Sequence, residues 1–140
     1  MKCIFIISFS LAREGEVKIP LAIALLLAYL KNDKRHGNEF VVNHLNMIKI
    51  ITNEYIEQHL STLQLEYFDA IAISSYIWNE YLLNPLIKSL RKAGFIGKIV
   101  LVSYQIPYST KEELRYKYSE VDIFIPGYAE KSLFRINIHR

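Results

Sequence analysis

The sequence predicts a doubly wound α/β domain: a five-stranded parallel sheet with helices on both faces. Three observations carry this expectation. Short β-rich runs alternate with longer helical patterns along the whole chain. Three of the β runs, Ile4-Phe5-Ile6-Ile7, Ile71-Ala72-Ile73 and Ile99-Val100-Leu101-Val102, are nearly continuous apolar stretches, as in strands covered on both faces. The 140 residues, 51% hydrophobic and 22% charged, suit one domain (1–140) with a real core and argue against disorder.

In chain order, the first strand is expected over Lys2–Phe9. Its Met1-Lys2 start and apolar run superficially look like a signal peptide. The β-forming Ile4, Phe5, Ile6 and Ile7, followed at once by a polar loop, fit a buried strand better. Pro20 stands at a first helical position, Leu21 to Leu30 follow, and Lys31, Lys34, Arg35 and Gly37 close that segment. A second strand over Glu39–Leu45 leads to a helix capped by Thr52 or Asn53 and running to about Leu63. After a third strand, Ala70–Tyr76, Asn79 or Asn84 caps a helix ending at Gly94, and Pro85 either starts or kinks it. A fourth strand, Lys98–Tyr104, precedes a helix capped by Thr110 with Glu112 and Glu113 in its first turn. The fifth strand, Asp122–Ile125, precedes a last helix from Ala129 to about Ile136. Right-handed crossovers between five βα units give the flavodoxin-like (Rossmann-like) strand order 2-1-3-4-5.

Several functional classes are excluded or disfavoured. A net charge of +3, from 17 basic and 14 acidic residues, is too mild to indicate nucleic acid. The longest apolar run, Ile19 to Leu30, is short of the roughly 20 residues a membrane-spanning helix needs, so a cytoplasmic location is expected. One cysteine, Cys3, excludes an internal disulfide or a cysteine-only cluster within these residues. It is expected to be buried in its strand. The histidines 36, 44, 59 and 139 fall in separate segments without metal-ligand spacing, and His36 is expected in solvent at a helix end. Ser74, Ser75 and Ser103 have no nucleophile-elbow context. No catalytic set is evident.

In doubly wound sheets ligands sit beyond the carboxyl ends of the strands. The loop after the first strand, Ser10 to Lys18, lacks both the dinucleotide fingerprint and the phosphate-loop lysine and reads as a surface loop. After the third strand come Ser74-Ser75-Tyr76-Ile77-Trp78-Asn79. Trp78 offers a flat apolar face there and Asn79 a hydrogen-bonding edge; alternatively, Trp78 plugs the core and Asn79 caps the helix. Tyr104, Gln105, Pro107 and Tyr108 give the fourth loop stiffness and aromatic surface. Gly127 in the fifth permits close backbone approach to a ligand or simply makes a turn.

Together these loops resemble the cobalamin-binding domain that precedes the barrel of cobalamin-dependent radical SAM enzymes. The likeness is carried by Pro20 to Ala24, by Asp69 to Asn79 with its Ser-x-x-x-Trp-Asn type ending, by Gly97 to Tyr104, and by Asp122 to Glu130. The resemblance implies a cobalamin platform. Ser75, Trp78 and Asn79 would meet the corrin ring or its amides, with Tyr104, Gln105, Gly127 and Glu130 on the neighbouring loops. It supplies no histidine ligand, because no Asp-x-His-x-x-Gly motif is present.

The sequence also departs from that family. Val102-Ser103 replaces a glycine pair, and Gly127-Tyr128-Ala129-Glu130 replaces a Gly-Glu-Gly-Glu turn. The family's three-cysteine cluster is absent, so the resemblance implies a stand-alone or truncated domain, non-catalytic by itself, serving a radical SAM partner enzyme. The alternative is a degenerate Rossmann-like domain that has lost the cofactor and mediates homodimerisation or protein contact. Tyr76, Trp78, Tyr104, Tyr108 and Tyr128 would then form an apolar patch. A receiver-like reading is disfavoured, since Ser8-Phe9-Ser10 stands where paired acids are needed.

Overall fold

A computed structural model describes residues 2–10, 21–48, 53–75, 80–103 and 111–126. Five strands, β1 (Lys2–Ser10), β2 (Phe40–Ile48), β3 (Ala70–Ser75), β4 (Lys98–Ser103) and β5 (Ile123–Pro126), form one parallel sheet in the order β2-β1-β3-β4-β5. Between them lie α1 (Leu21–Lys31), α2 (Asn53–Ser61), α3 (Glu80–Lys92) and α4 (Lys111–Lys117), with a 3₁₀ turn at Leu65–Tyr67. The expected fold class and strand order are the observed ones. The helix expected over 129–136 lies outside the described residues.

Alternation along the strands sorts the core into two layers. Phe5, Ile7, Phe9, Ile71, Ile73, Ile99 and Leu101 face α2, α3 and α4, packing on Ile56, Leu60, Leu83, Leu86, Leu90 and Leu114. Ile4, Ile6, Val42, Ala72, Val100, Val102 and Ile125 face the other way, onto Leu26 and Leu30 of α1. Pro85 lies inside α3, so of the two expected roles it does not start the helix. The buried stripe Leu82, Leu83, Leu86, Ile87 and Leu90 runs straight past it and offsets the lost backbone hydrogen bond. Asn84 is therefore interior to the helix rather than its cap, and its amide donates to the Lys117 carbonyl at 3.1 Å.

Two aspartates align the amino ends of the sheet by the same device. Asp69 donates its N–H to the Cys3 carbonyl, and its carboxylate accepts the Cys3 N–H at 2.7 Å. Asp122 does likewise with Ile99, accepting the Ile99 N–H at 2.8 Å. Arg91 braces the second pair: one guanidinium nitrogen donates to the Phe95 and Gly97 carbonyls, and another to Asp122. Asp122 thus precedes β5 as its latch, where the sequence reading had made it the first strand residue. Cys3 is only partly buried, because it lies at this amino end rather than under a helix.

Candidate functional site

Strand pairing organises the opposite, carboxyl rim. Ser75 pairs with Ser103, and Ser103 pairs with Pro126, so β3, β4 and β5 end level with one another. Adjacent strands lie about 4.8 Å apart, and the three ends therefore span roughly 10 Å. β1 stands between β2 and β3, so the chain turns outward in opposite directions on either side of the β1–β3 pair. In this topology that reversal opens the crevice used for ligands.

Of the residues singled out in the sequence, Ser75 closes β3. Trp78, Asn79, Tyr104, Gln105, Gly127 and Glu130 lie outside the described residues, as do Tyr76, Tyr108 and Tyr128. Tyr104 and Gln105 follow Ser103 directly, Gly127 follows Pro126, and Trp78 and Asn79 follow shortly after Ser75. Val102, standing where the resembled family has glycine, is buried on the α1 face beside Ala72 and Ile125.

The structure adds a polar pair not anticipated from the sequence. Ser8 of β1 and His44 of β2 share a hydrogen bond, with Oγ and Nε2 2.8 Å apart. Burial pushes the His44 imidazole below its ordinary range, and the Lys31 charge acts in the same direction. A hydroxyl beside a neutral imidazole is nucleophile geometry, but Ser8 is 0% exposed and no substrate reaches it. The pair satisfies two polar groups at the edge of the α1-side core. Its signal was present in the alternations Ile4-x-Ile6-x-Ser8 and Phe40-x-Val42-x-His44, where each strand turns polar at the same step.

The other histidines do not converge. His59 stacks on Tyr55 and bonds its carbonyl at 2.9 Å. His36, expected in solvent, has its Nε2 buried without a hydrogen-bond partner among the described residues, its ring edge-on to Phe40. The tight return of residues 35–40 brings it against Phe40 at the start of β2. No group of three or more metal-ligating side chains forms among the described residues. No described helix is long and apolar enough to cross a membrane.

A surface hollow of about 300 Å³ lies between α2 and α3, lined by Leu60, Ser61, Ser89 and Lys92 among others. These residues belong to the carboxyl halves of both helices, which run antiparallel to the strands, so the hollow is at the amino end of the sheet. It is separate from the rim and gathers no reactive groups.

The described elements define a doubly wound α/β domain in which β3, β4 and β5 end level at the carboxyl rim. Among solved structures, a CpaE2 pilus assembly protein from Sinorhizobium meliloti superposes at a TM-score of 0.56 with 12% sequence identity. The match covers 93% of this chain and 93% of that one. At that identity the likeness shows the fold alone. No protein-family model matches the sequence, and no curated protein does.

Proposed function

We propose that the chain is a cobalamin-binding-type domain, non-catalytic by itself, that presents the cofactor on its carboxyl rim to a radical SAM partner enzyme. The observation that carries the reading is the level row Ser75–Ser103–Pro126. The segments bearing Trp78 and Asn79, Tyr104 and Gln105, and Gly127 and Glu130 all depart from those neighbouring ends. A span of roughly 10 Å across three strands suits a broad planar macrocycle. In this reading Trp78 supplies a flat apolar face, and Ser75, Asn79, Tyr104, Gln105 and Glu130 bond the polar periphery of the ring. Gly127 lets the backbone approach closely. A bound corrinoid supplies cobalt-centred radical or group-transfer chemistry, while these residues bind and orient it.

Titration of the purified protein with hydroxocobalamin tests the reading. Uptake is expected as a shift in the visible spectrum and as co-elution on gel filtration at about 50 μM, within the range of useful cofactor affinity. Trp78→Ala and Asn79→Ala should each weaken uptake about tenfold, equivalent to about 1.4 kcal/mol. His36→Ala, against Phe40 at the amino end of β2, should leave it unchanged. An unaltered spectrum together with separate elution rejects the proposal.

A second reading, a domain that has lost the cofactor and serves protein contact, is favoured by Val102. Its side chain fills space on the α1 face where glycine would leave the backbone open.

A further inference from the structure

β2 is fastened to the sheet unevenly along its length. It stands first in the strand order, so among the described strands β1 alone pairs with it. Its amino half is anchored by Phe40 and Val42, both buried in one cluster with Leu26 and Leu30 of α1. Beyond them burial falls away: Asn43 is exposed, and His44 and Leu45 are half-buried. A side-chain bond ties this second half to β1, with His44 Nε2 and Ser8 Oγ 2.8 Å apart and Ser8 fully buried.

The surroundings of that bond hold no acid to balance a proton on the imidazole. Neither β1, β2 nor α1, the described elements packed around His44, contains an Asp or Glu. Their other titratable side chains are Lys2 and Cys3 at the start of β1, and Tyr29 and Lys31 of α1. Of these, the Lys31 charge acts on the imidazole, and it opposes protonation. The nearest acids in the chain, Asp33 and Glu39, lie with His36 in the turn between α1 and β2. Both act on Arg35: Asp33 is bonded to it at 3.0 Å, and Glu39 acts through its charge.

An imidazolium at His44 therefore gains by reaching water. A swing of the side chain alone would strip Ser8 of this bond while leaving its hydroxyl buried. Release of the strand hydrates both groups, and the half that carries His44 has less apolar burial to lose than the half held by Phe40 and Val42.

We infer that acidification charges His44 and releases residues 44–48 of β2 from β1, while residues 40–42 stay docked. The released segment uncovers Ser8 towards the carboxyl end of β1, beside the crevice between β1 and β3. The fold thus carries an acid-sensitive flap on one side of its rim.

Hydrogen exchange of the full chain, followed by NMR at about pH 7.5 and about pH 5 and corrected for the intrinsic effect of pH, tests the inference. The Lys2 N–H donates to Glu39 at 2.9 Å, so by alternation Ser8 and Ser10 of β1 and Leu45 and Met47 of β2 turn their N–H groups towards each other's strand. These amides should exchange about threefold or more faster at the lower pH. Ile4 and Val41, which face the opposite strand in the amino half, should keep their rates. His44→Gln cannot take up a proton and should abolish the response. Lys31→Glu places an acid near the imidazole and should reduce the response by about half or more; it lies exposed at the end of α1 and serves if the His44 variant folds poorly. Equal rates at both pH values overturn the inference. So does faster exchange of all these amides together, which is global unfolding, or a response that survives His44→Gln. None of these readouts depends on cobalamin, so the proposed cofactor role stands or falls separately.

Discussion

Gly97, just before β4, is the most tightly enclosed of the described glycines. It is buried between Phe95 and β4, and an added Cβ would lie 2.6 Å from the Asp69 carbonyl oxygen and 2.7 Å from Cζ of Phe95. The Phe95 ring can rotate only at the expense of its own burial, since it is 2% exposed under α3. The Asp69 carbonyl cannot retreat freely either. It accepts the Lys98 N–H at 3.0 Å while the Asp69 side chain holds Cys3. Gly97→Ala therefore strains β3 and β4 where they begin. Overpacking of this kind costs about 1–3 kcal/mol, and contact with backbone rather than a pliant side chain points to the upper half of that range. At a urea slope of about 2 kcal/mol/M, the unfolding midpoint should fall by about 1 M. Gly94→Ala is the internal comparison. Gly94 has nothing within 4 Å of an added Cβ, but its φ of +97° penalises any side chain by about 1–2 kcal/mol. Equilibrium urea unfolding followed by circular dichroism reads both. A Gly97→Ala midpoint within about 0.2 M of the parent would refute the packing argument.

Two other perturbations follow from the same geometry. Arg91→Ala removes three charge-assisted hydrogen bonds and the guanidinium over the Phe95 ring, and should cost about 2–3 kcal/mol in thermal or urea unfolding; Arg91→Lys should recover little, because a single ammonium nitrogen cannot stand in for the two guanidinium nitrogens that reach the carbonyls and Asp122 separately. His44 is held below its ordinary value of 6.5 by burial, so the unfolded chain binds its proton more readily than the folded one. Its contribution to stability is then complete above about pH 6.5 and is lost as the pH falls through the folded value. His44→Gln should flatten that part of the stability–pH curve, as measured by urea midpoints between about pH 5 and 8.

The helices show where local reading reaches its limit. Pro85 could have started the helix or kinked it, and it lies inside, where five buried residues along one stripe of α3 outweigh the missing N–H. Asn84 looked like a cap on local grounds and instead bonds across to α4. His36 looked like a solvated helix-end residue until the turn into β2 folded it against Phe40. In each case a partner remote in sequence, or a packed face, overrode the neighbouring residues. β2 runs three residues past its expected end because β1 extends alongside it. Length there is set by the partner strand.

The sequence by itself determined the number of strands, their parallel order and which faces they bury. Those properties follow from hydrophobic period and from the handedness of crossovers, both of which are local or nearly so. It also marked the loops that follow β1, β3, β4 and β5 as the places to look for chemistry. Only the tertiary structure decided that Ser75, Ser103 and Pro126 end on one level, that Ser8 reaches His44, and that Asp69 and Asp122 latch the amino ends of β1 and β4. Each of these depends on how strands slide against one another. A shift of one residue reverses every side chain and every peptide group, and no local propensity encodes it.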